Sequence, residues 1–414
     1  MKVLQINTVC GIGSTGRIAT DIHNILNQKG YESYIAYGRD YSQNCETTIK
    51  IGGNLDIYEH VALTRVFDKH GFGSFRSTKD FIQKVKRINP DIIHLHNIHG
   101  YYINIELLFN YLKEVNKPIV WTLHDCWAFT GHCSHFDYIG CNKWKSACYS
   151  CPQKSEYPKS VLFDNSKENY IMKKELFTGI ENLTIVTPSK WLGDLVRDSY
   201  LKSYPVRVIN NGVDLNVFKP TNSNFRSKYN IKNKFIILGV ASVWGERKGF
   251  DQFLKLSEKL EHDQVIVLVG VTENQKKKLP ENIIGITRTN DIYELAEIYT
   301  ASDVLVNPTL EDNFPTVNIE SLACGTPVMT YCTGGSTESI DDSCGVVIEK
   351  ENLNELVESI GHLKNRKLEI SSNDCIERAR NLYDKWEKYN EYVTLYEEVL
   401  PQLSSEKIFE LKNI

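Results

Sequence analysis

The chain has no stretch approaching the roughly eighteen apolar residues of a membrane span. It has little charge imbalance: 48 basic against 52 acidic side chains leave a net charge of −4, which excludes a nucleic-acid binder working through bulk charge. No short-period repeat or low-complexity tract interrupts it. The opening "MKVLQINTVC" carries one lysine and an apolar run broken at Gln5 and Asn7, too short for a secretory h-region. A cytosolic chain is therefore expected, and in that compartment structural disulfides are rare. The odd count of 11 cysteines agrees. What is present is an ordinary globular composition, 41% apolar and 24% charged. At 414 residues the chain exceeds the size at which one core stops growing, so two domains are expected.

Short β-branched runs alternate with amphipathic helical stretches, the pattern of a parallel sheet covered by helices. Strands are predicted at "KVLQINTV", "YESYIAYG", "DIIHLHN", "PIVWTLHD" and "LTIVTPS", with helices over 16–29 and 78–88 among them. The pattern restarts near residue 205 with "VRVINNGVD" and continues through "FIILGVAS", "VIVLVG", "DVLVNPT" and "TPVMTYCTGG". This predicts an α/β architecture of two doubly wound domains, residues 1–200 and 205–385, with the boundary near 198–206 and a structured polar segment at 214–234. The tail reads as one long helix with Leu382, Trp386, Tyr389, Val393 and Tyr396 spaced three or four apart, a stripe for core or interdomain packing.

The most informative segment is residues 309–330, "TLEDNFPTVNIESLACGTPVMT". It leaves an apolar strand, turns through Asn313 and Pro315, and enters a helix ended by Gly325. A helix N-terminus near Thr316 and Val317 presents unpaired N–H groups and a positive dipole end, which suit a phosphate. Glu320, one turn further in, can accept hydrogen bonds from sugar hydroxyls.

This segment resembles the retaining glycosyltransferases of family 4, whose GT-B fold sets two Rossmann-like domains facing across a cleft. There an E-x7-E segment opens a helix of the C-terminal domain. The resemblance implies that Glu320 binds the donor ribose. It also implies that an acid before the turn, with Asn313, Phe314, Thr316 and Val317 beyond it, holds the donor sugar and diphosphate. Seven-residue spacing selects Asp312, aligning "DNFP" with the family's "EGFG", while Glu311 stands one residue back; either acid is open to face the donor. "VINNGVD" resembles the family's turn at the start of the donor domain, with Asn211 beside the donor and Gly212 permitting a tight turn. "GERKGF" resembles its phosphate loop. Lys248 matches the family lysine; the arginine usually found five or six residues earlier is replaced by Ser242 and Val243, which leaves Arg247 as the nearby guanidinium.

In the first half, Gly11, Gly13 and Gly16 spell GxGxxG after the first strand, as in the family's glycine loop and equally in a dinucleotide site. No ribose-binding acid ends the second strand, which argues against an oxidoreductase. His124 and Asp125 close a strand at its carboxyl end, where open α/β sheets bind ligands. The resemblance implies a catalytic His124 facing donor sugar and acceptor, with Asp125 orienting it. His94, His96 and His99 of "HLHNIHG" are candidates for the acceptor side. The catalytic set expected is thus His124, Asp312 and Glu320.

After His124 and Asp125 comes a cysteine-rich loop, 126–152, in which Cys133, Cys141, Cys148 and Cys151 have x7, x6 and x2 spacings. Four thiolates ending in a C-x2-C knuckle suit a closed structural Zn²⁺ site, and reduced cysteines packed in a long loop are the alternative. A closed site has no open position for substrate, so the loop is expected to shape the acceptor pocket.

The resemblance implies retaining transfer from a nucleoside-diphosphate sugar to a saccharide or polyprenyl-linked acceptor in bacterial capsule or exopolysaccharide synthesis. It implies no catalytic metal, and a helix over 386–414 crossing back to the acceptor-binding first domain. A basic contact at 79–87, "KDFIQKVKR", is a candidate for touching the inner membrane, against the reading of a solvated helix face. Two rival classes are a GT-B nucleotide-sugar epimerase and an inactive zinc-stabilised sugar-binding protein.

Overall fold

The structure is a computed structural model and describes residues 1–400. The first half contains β1 (Lys2–Asn7), α1 (Gly13–Gln28), β2 (Glu32–Tyr37), β3 (Thr48–Lys50), α2 (Asn54–Phe67), α3 (Phe75–Ile88) and β4 (Ile92–Leu95). It continues with α4 (Ile105–Val115), β5 (Ile119–Thr122), α5 (Ser166–Phe177), β6 (Leu183–Thr187), α6 (Lys190–Asp198) and β7 (Val206–Val208). β4, β5 and β6 are buried at every residue, as central strands covered on both faces must be. The seven strands pair in parallel in the order β3-β2-β1-β4-β5-β6-β7.

The second half opens with α7 (Phe225–Lys228), β8 (Phe235–Val240), α8 (Phe250–Ser257), β9 (Gln264–Val269), α9 (Glu273–Lys276), β10 (Ile283–Ile286) and α10 (Ile292–Ala301). It closes with β11 (Val304–Asn307), α11 (Thr316–Ala323), β12 (Val328–Tyr331), β13 (Gly345–Ile348), α12 (Leu353–Lys364), α13 (Ser372–Tyr383) and α14 (Lys385–Val399). Its six strands are also parallel, in the order β10-β9-β8-β11-β12-β13. Each sheet reverses its winding once, between β1 and β4 and between β8 and β11. Crevices outside the carboxyl ends at such points are where open α/β sheets take ligands.

Two sequence expectations are corrected. Val206–Val208 does not open the second domain: it is the outer strand of the first sheet, with Ile185 opposite Val206 and Thr187 opposite Val208. Val206 and Val208 are only partly buried and Arg207 is exposed, so the run is an edge and not the core of a new sheet, and the boundary falls after it. The C-terminal helix is two helices. Asp384 leaves the helical region at φ −55 and ψ 124, and its carboxylate accepts the N–H of Trp386 at 2.8 Å, starting α14 afresh. Leu382 of the expected stripe is exposed. The remainder packs as the pattern requires: Tyr389, Tyr392, Val393 and Tyr396 bury against Ile18, Ile22, Ile25 and Leu26 of α1. Each such side chain contributes roughly 1.5–3 kcal/mol, and here that holds the second half onto the first. Residues 401–414 of the expected tail lie outside the described residues.

Candidate active site

A cavity of about 800 Å³ lies between the carboxyl edges of the two sheets. The first half contributes Gly13, Arg17, Asn97 and His124; the second contributes Lys248, Asp312, Thr316 and Glu320 among others. Residues about 300 positions apart are brought together because each follows a strand of its own sheet.

On the second side the floor is the start of α11. Its N-cap is Pro315, whose side chain offers no acceptor, so the N–H groups of Thr316 and Val317 are not capped by a side chain. Both residues line the cavity, as do Asn313 and Phe314. Glu320 follows one turn later, 8% exposed, with Oε2 accepting the Tyr299 hydroxyl at 3.0 Å. Burial pushes its carboxyl up, and the Arg17 guanidinium across the cleft and the Tyr299 and Thr316 hydroxyls partly offset this.

The two adjacent acids have opposite fates. Asp312 lines the cavity and is ion-paired with Lys248. Burial alone would raise its carboxyl, but Lys248, with Arg247 and His135 further off, together hold it below the usual range. Glu311 is 1% exposed and points away from the cavity. Its carboxylate accepts three backbone N–H groups of the cysteine-rich loop, from Phe136 at 2.7 Å, Asp137 at 3.0 Å and Tyr138 at 3.2 Å. Of the two acids only Asp312 lines the cavity, and Glu311 ties the second domain to the cysteine-rich loop of the first. Arg247 is likewise outside the cavity lining, its Nη1 donating to the Glu311 carbonyl at 2.9 Å.

Asn313 joins the halves at the cleft. Its Oδ1 accepts the Ser189 hydroxyl at 2.6 Å, and its Nδ2 donates to the His124 carbonyl at 3.1 Å. Glu338 accepts the N–H groups of Lys190 and Trp191, both at 2.8 Å, and so satisfies the N-terminus of α6 from the other domain.

Of the glycines in the first loop only Gly13 lines the cavity. Gly11 has φ +74, and a Cβ there would lie 2.2 Å from the Gln43 carbonyl oxygen, so packing of the loop after β2 already requires glycine here. A Cβ at Gly16 would meet Gly11 N at 3.1 Å, so this glycine seats the loop on α1. Asn211 lines the cavity and donates to the Phe314 carbonyl at 3.1 Å. Gly212 is corrected in its reason: a Cβ would lie 2.5 Å from Lys385 Cα, so the residue allows α14 to approach.

Behind His124 runs a buried relay. Gln5 Nε2 donates to the Ala19 carbonyl at 2.9 Å, which leaves Gln5 Oε1 to accept from His96 Nε2 at 3.0 Å. His96 Nδ1 is then the acceptor for His124 Nε2–H at 3.1 Å. Burial pushes His124 down to about 4, with Asp125 acting weakly in the other direction, so the ring is neutral near pH 7. His94 and His96 are 0% and 1% exposed, which corrects their assignment to the acceptor surface. His94 bonds Thr122 at 2.8 Å and the Tyr396 hydroxyl at 2.6 Å, tying α14 to the strands beneath the site. His99 is different: its Nε2 lies 2.9 Å from Asp125 Oδ2 and its Nδ1 lies 3.0 Å from the Tyr157 hydroxyl. Burial opposes ionisation of Asp125, but His99, with His135 and the Trp127 N–H, together hold its carboxyl well below the usual range.

The cysteine-rich loop packs on the first core, with Cys133 against Cys151 and Cys148 accepting the Gly131 N–H at 3.2 Å. All eleven cysteines are free thiols, and among the described residues no three His, Cys, Asp or Glu are grouped to hold a metal ion. Of the candidate Zn²⁺ ligands, Cys133 and Cys151 face one another, Cys148 meets the Gly131 backbone, and Cys141 packs half-buried against the same core.

Sequence reasoning missed one wall of the cavity. Ser242, Gly270, Thr287, Arg288 and Thr289 follow β8, β9 and β10 and line it. The available signal was the short run "NIIGITRTN": recognising "IIGI" as a strand places Arg288 at a carboxyl end. Arg17, also missed, lies on α1 four residues past Gly13.

The chain matches the family model for Glycosyltransferase Family 4 over residues 15–217 and that for Glycosyl transferases group 1 over residues 221–382. It is 25% identical over 426 residues to the putative colanic acid biosynthesis glycosyl transferase WcaC of Escherichia coli K12, covering 96% of this chain and 100% of that protein. Among solved structures it is similar to sucrose-phosphate synthase from Thermosynechococcus elongatus, with TM-score 0.72, 16% identity and 96% and 99% of the two chains covered. It is also similar to Anabaena HepE in complex with UDP-glucose, with TM-score 0.69, 14% identity and 96% and 100% covered. Two parallel sheets meeting at their carboxyl edges, with matched models on either side of the boundary, lead to one conclusion: the chain belongs to the family 4 glycosyltransferases and has the GT-B fold.

Proposed function

We propose that the protein transfers a sugar, with retention, from a nucleoside-diphosphate donor to a hydroxyl of a saccharide or polyprenyl-linked saccharide in bacterial surface polysaccharide synthesis. The observation that carries this reading is the convergence of Glu320, the open N-terminus of α11, Lys248 and His124 on one cavity of about 800 Å³. In this reading the diphosphate lies on the N–H groups of Thr316 and Val317 with Lys248 beside it, and the ribose hydroxyls bond Glu320. The bond from the anomeric carbon to the diphosphate breaks, and the acceptor oxygen bonds to the same face. A His124 ring held near pKa 4 is too weak a base to take the acceptor's proton, so that proton leaves on the diphosphate. His124 instead orients the sugar by hydrogen bonding.

Neighbouring solved structures include complexes with UDP and UDP-glucose, which supports a nucleotide-sugar donor for this chain. The relative named for colanic acid biosynthesis supports a place in polysaccharide synthesis. The test is nucleoside-diphosphate release from a panel of nucleotide sugars with EDTA present, for wild type and Glu320→Ala. Release that depends on Glu320 and survives chelation is expected. No release and no binding from any donor would overturn the reading, and release without acceptor of an isomerised nucleotide sugar would favour an epimerase.

A further inference from the structure

A second cavity, of about 670 Å³, lies in the first domain between α1, the start of β2 and the segment that leads into β3. It shares no lining residue with the cleft. Ser33, one of its lining residues, stands at the amino end of β2, whereas the cleft lies at the carboxyl edges of the sheets.

The floor of this cavity breaks the pattern of the layer above it. On one face of β2, Ile35 and Tyr37 pack with Ala19 of α1 and with Cys10. Ser33 continues that face by the two-residue period of a strand, and His23 follows Ala19 by one helical turn, so the next layer between the two elements is polar. His23 and Ser33 are 2% and 3% exposed. Asn27 Nδ2 donates to His23 Nε2 at 2.9 Å, so the neutral ring carries its proton on Nδ1. Burial pushes the pKa of the ring down, which keeps it neutral. Among the described residues that Nδ1–H has no acceptor, and the Ser33 hydroxyl has no partner. Buried side-chain polar atoms are ordinarily bonded. Both residues line the cavity, so one molecule inside it satisfies both.

The remaining walls specify the class of that molecule. Asn24, Asn27 and Asn44 supply amide donors and acceptors at the exposed rim, and the half-buried Tyr34 ring supplies a flat face. Amides, a hydroxyl and an aromatic ring suit a sugar, whose hydroxyls both donate and accept while its C–H face packs on the ring. No lysine or arginine is among the described residues that line the cavity, and Glu32 and Glu46 are, which disfavours a phosphate or carboxylate ligand. The volume falls within the roughly 300–1,000 Å³ usual for small-molecule sites, enough for a disaccharide.

We propose that this cavity is a second sugar site, apart from the catalytic cleft, that holds a neutral saccharide segment. His23 Nδ1–H donates to one sugar oxygen, and the Ser33 hydroxyl bonds another. That the saccharide belongs to the acceptor or product glycan rests on the transferase reading; the site itself rests on His23 and Ser33.

The test is saturation-transfer difference NMR on the full chain with neutral disaccharides of glucose, galactose, mannose and fucose and with a glucuronate-containing disaccharide, donor turnover being measured separately. Binding of at least one neutral disaccharide is expected. Ser33→Ala removes only a hydroxyl without a partner, and Asn24→Arg fills the exposed rim. Each is expected to weaken that binding at least roughly tenfold, with melting temperature and donor turnover unchanged. No binding of any neutral disaccharide by a chain that turns over donor would overturn this inference and leave the transferase reading standing. Binding by a chain that turns over no donor would do the reverse. Binding that neither substitution weakens would place the sugar elsewhere and overturn the inference, as would tighter binding of the glucuronate disaccharide.

Discussion

Replacing Glu311 by alanine separates an anchor from a donor ligand. Its carboxylate accepts three backbone N–H groups, from Phe136, Asp137 and Tyr138, and is 1% exposed. Alanine leaves three donors without an acceptor in a place that water reaches poorly, at roughly 1–3 kcal/mol each before relaxation. Allowing the loop to move and rehydrate, a net loss of about 3 kcal/mol is expected. For a domain of this size that lowers Tm by about 6–12 °C. The loss should appear first as protease sensitivity of the cysteine-rich loop, since the anchored segment is Phe136–Tyr138. Glu311→Gln keeps the oxygen that serves Phe136 and Asp137 and is expected to recover more than half of the stability. Asp312→Asn, by contrast, is expected to leave Tm within a few degrees and to weaken donor turnover at least roughly tenfold, because it disturbs the Lys248 ion pair inside the cavity. The assays are calorimetry, limited proteolysis and nucleoside-diphosphate release on all three variants. A Glu311→Ala protein with unchanged melting and proteolysis but abolished donor binding would refute the reasoning and make Glu311 the donor acid.

Other outcomes follow from the same contacts. Tyr299→Phe removes the hydroxyl held by Glu320 and should raise the donor KM about three- to tenfold with little change in Tm, from the roughly 0.5–1.5 kcal/mol of one hydrogen bond; an unchanged KM would remove Tyr299 from the ribose site. Gly212→Ala places a Cβ 2.5 Å from Lys385 Cα and is expected to cost about 1–3 kcal/mol by displacing α14, read as a lower urea midpoint. His124, held down at about 4 by burial, binds its proton less readily folded than unfolded. Its contribution to stability is therefore present above about pH 6.5 and lost as pH falls toward 4, at most about 3 kcal/mol. Urea midpoints measured from pH 7 to 4 should fall less steeply for His124→Gln than for wild type, and parallel curves would contradict the assignment.

The strands that carry the site were legible because buried parallel strands are continuous apolar runs, and β1, β4, β5, β8, β9, β11 and β12 all announce themselves that way. β3, a three-residue edge strand that is only partly buried, was not, and β7 was legible as a strand but not as the edge of the first sheet. The same limit hid β10 and with it Arg288. The choice between Glu311 and Asp312 was partly legible: neighbouring residues of an extended segment point to opposite sides, so one acid at most faces the donor. Which one depends on what stands behind the segment, and that is Phe136–Tyr138, some 175 residues earlier in the chain. Nothing local records such a contact.

The histidines show the same division between what a residue's position offers and what packing makes of it. His94 and His96 sit two apart at the end of β4, so they share a face, and a strand end in an α/β sheet invites a functional reading. That face is closed by α14, whose Tyr396 and Tyr392 arrive from 300 residues away, and His94 bonds Tyr396 there. Burial then strips both rings of their charge, leaving His96 a neutral acceptor that fixes which nitrogen of His124 carries the proton. The His124 tautomer is thus set by Gln5 on β1, through a side chain outside the cavity lining. Gln5→Leu would be expected to release the His124 tautomer without moving the backbone of the cleft, lowering kcat more than it changes donor KM. A change confined to KM would place the relay outside the chemistry.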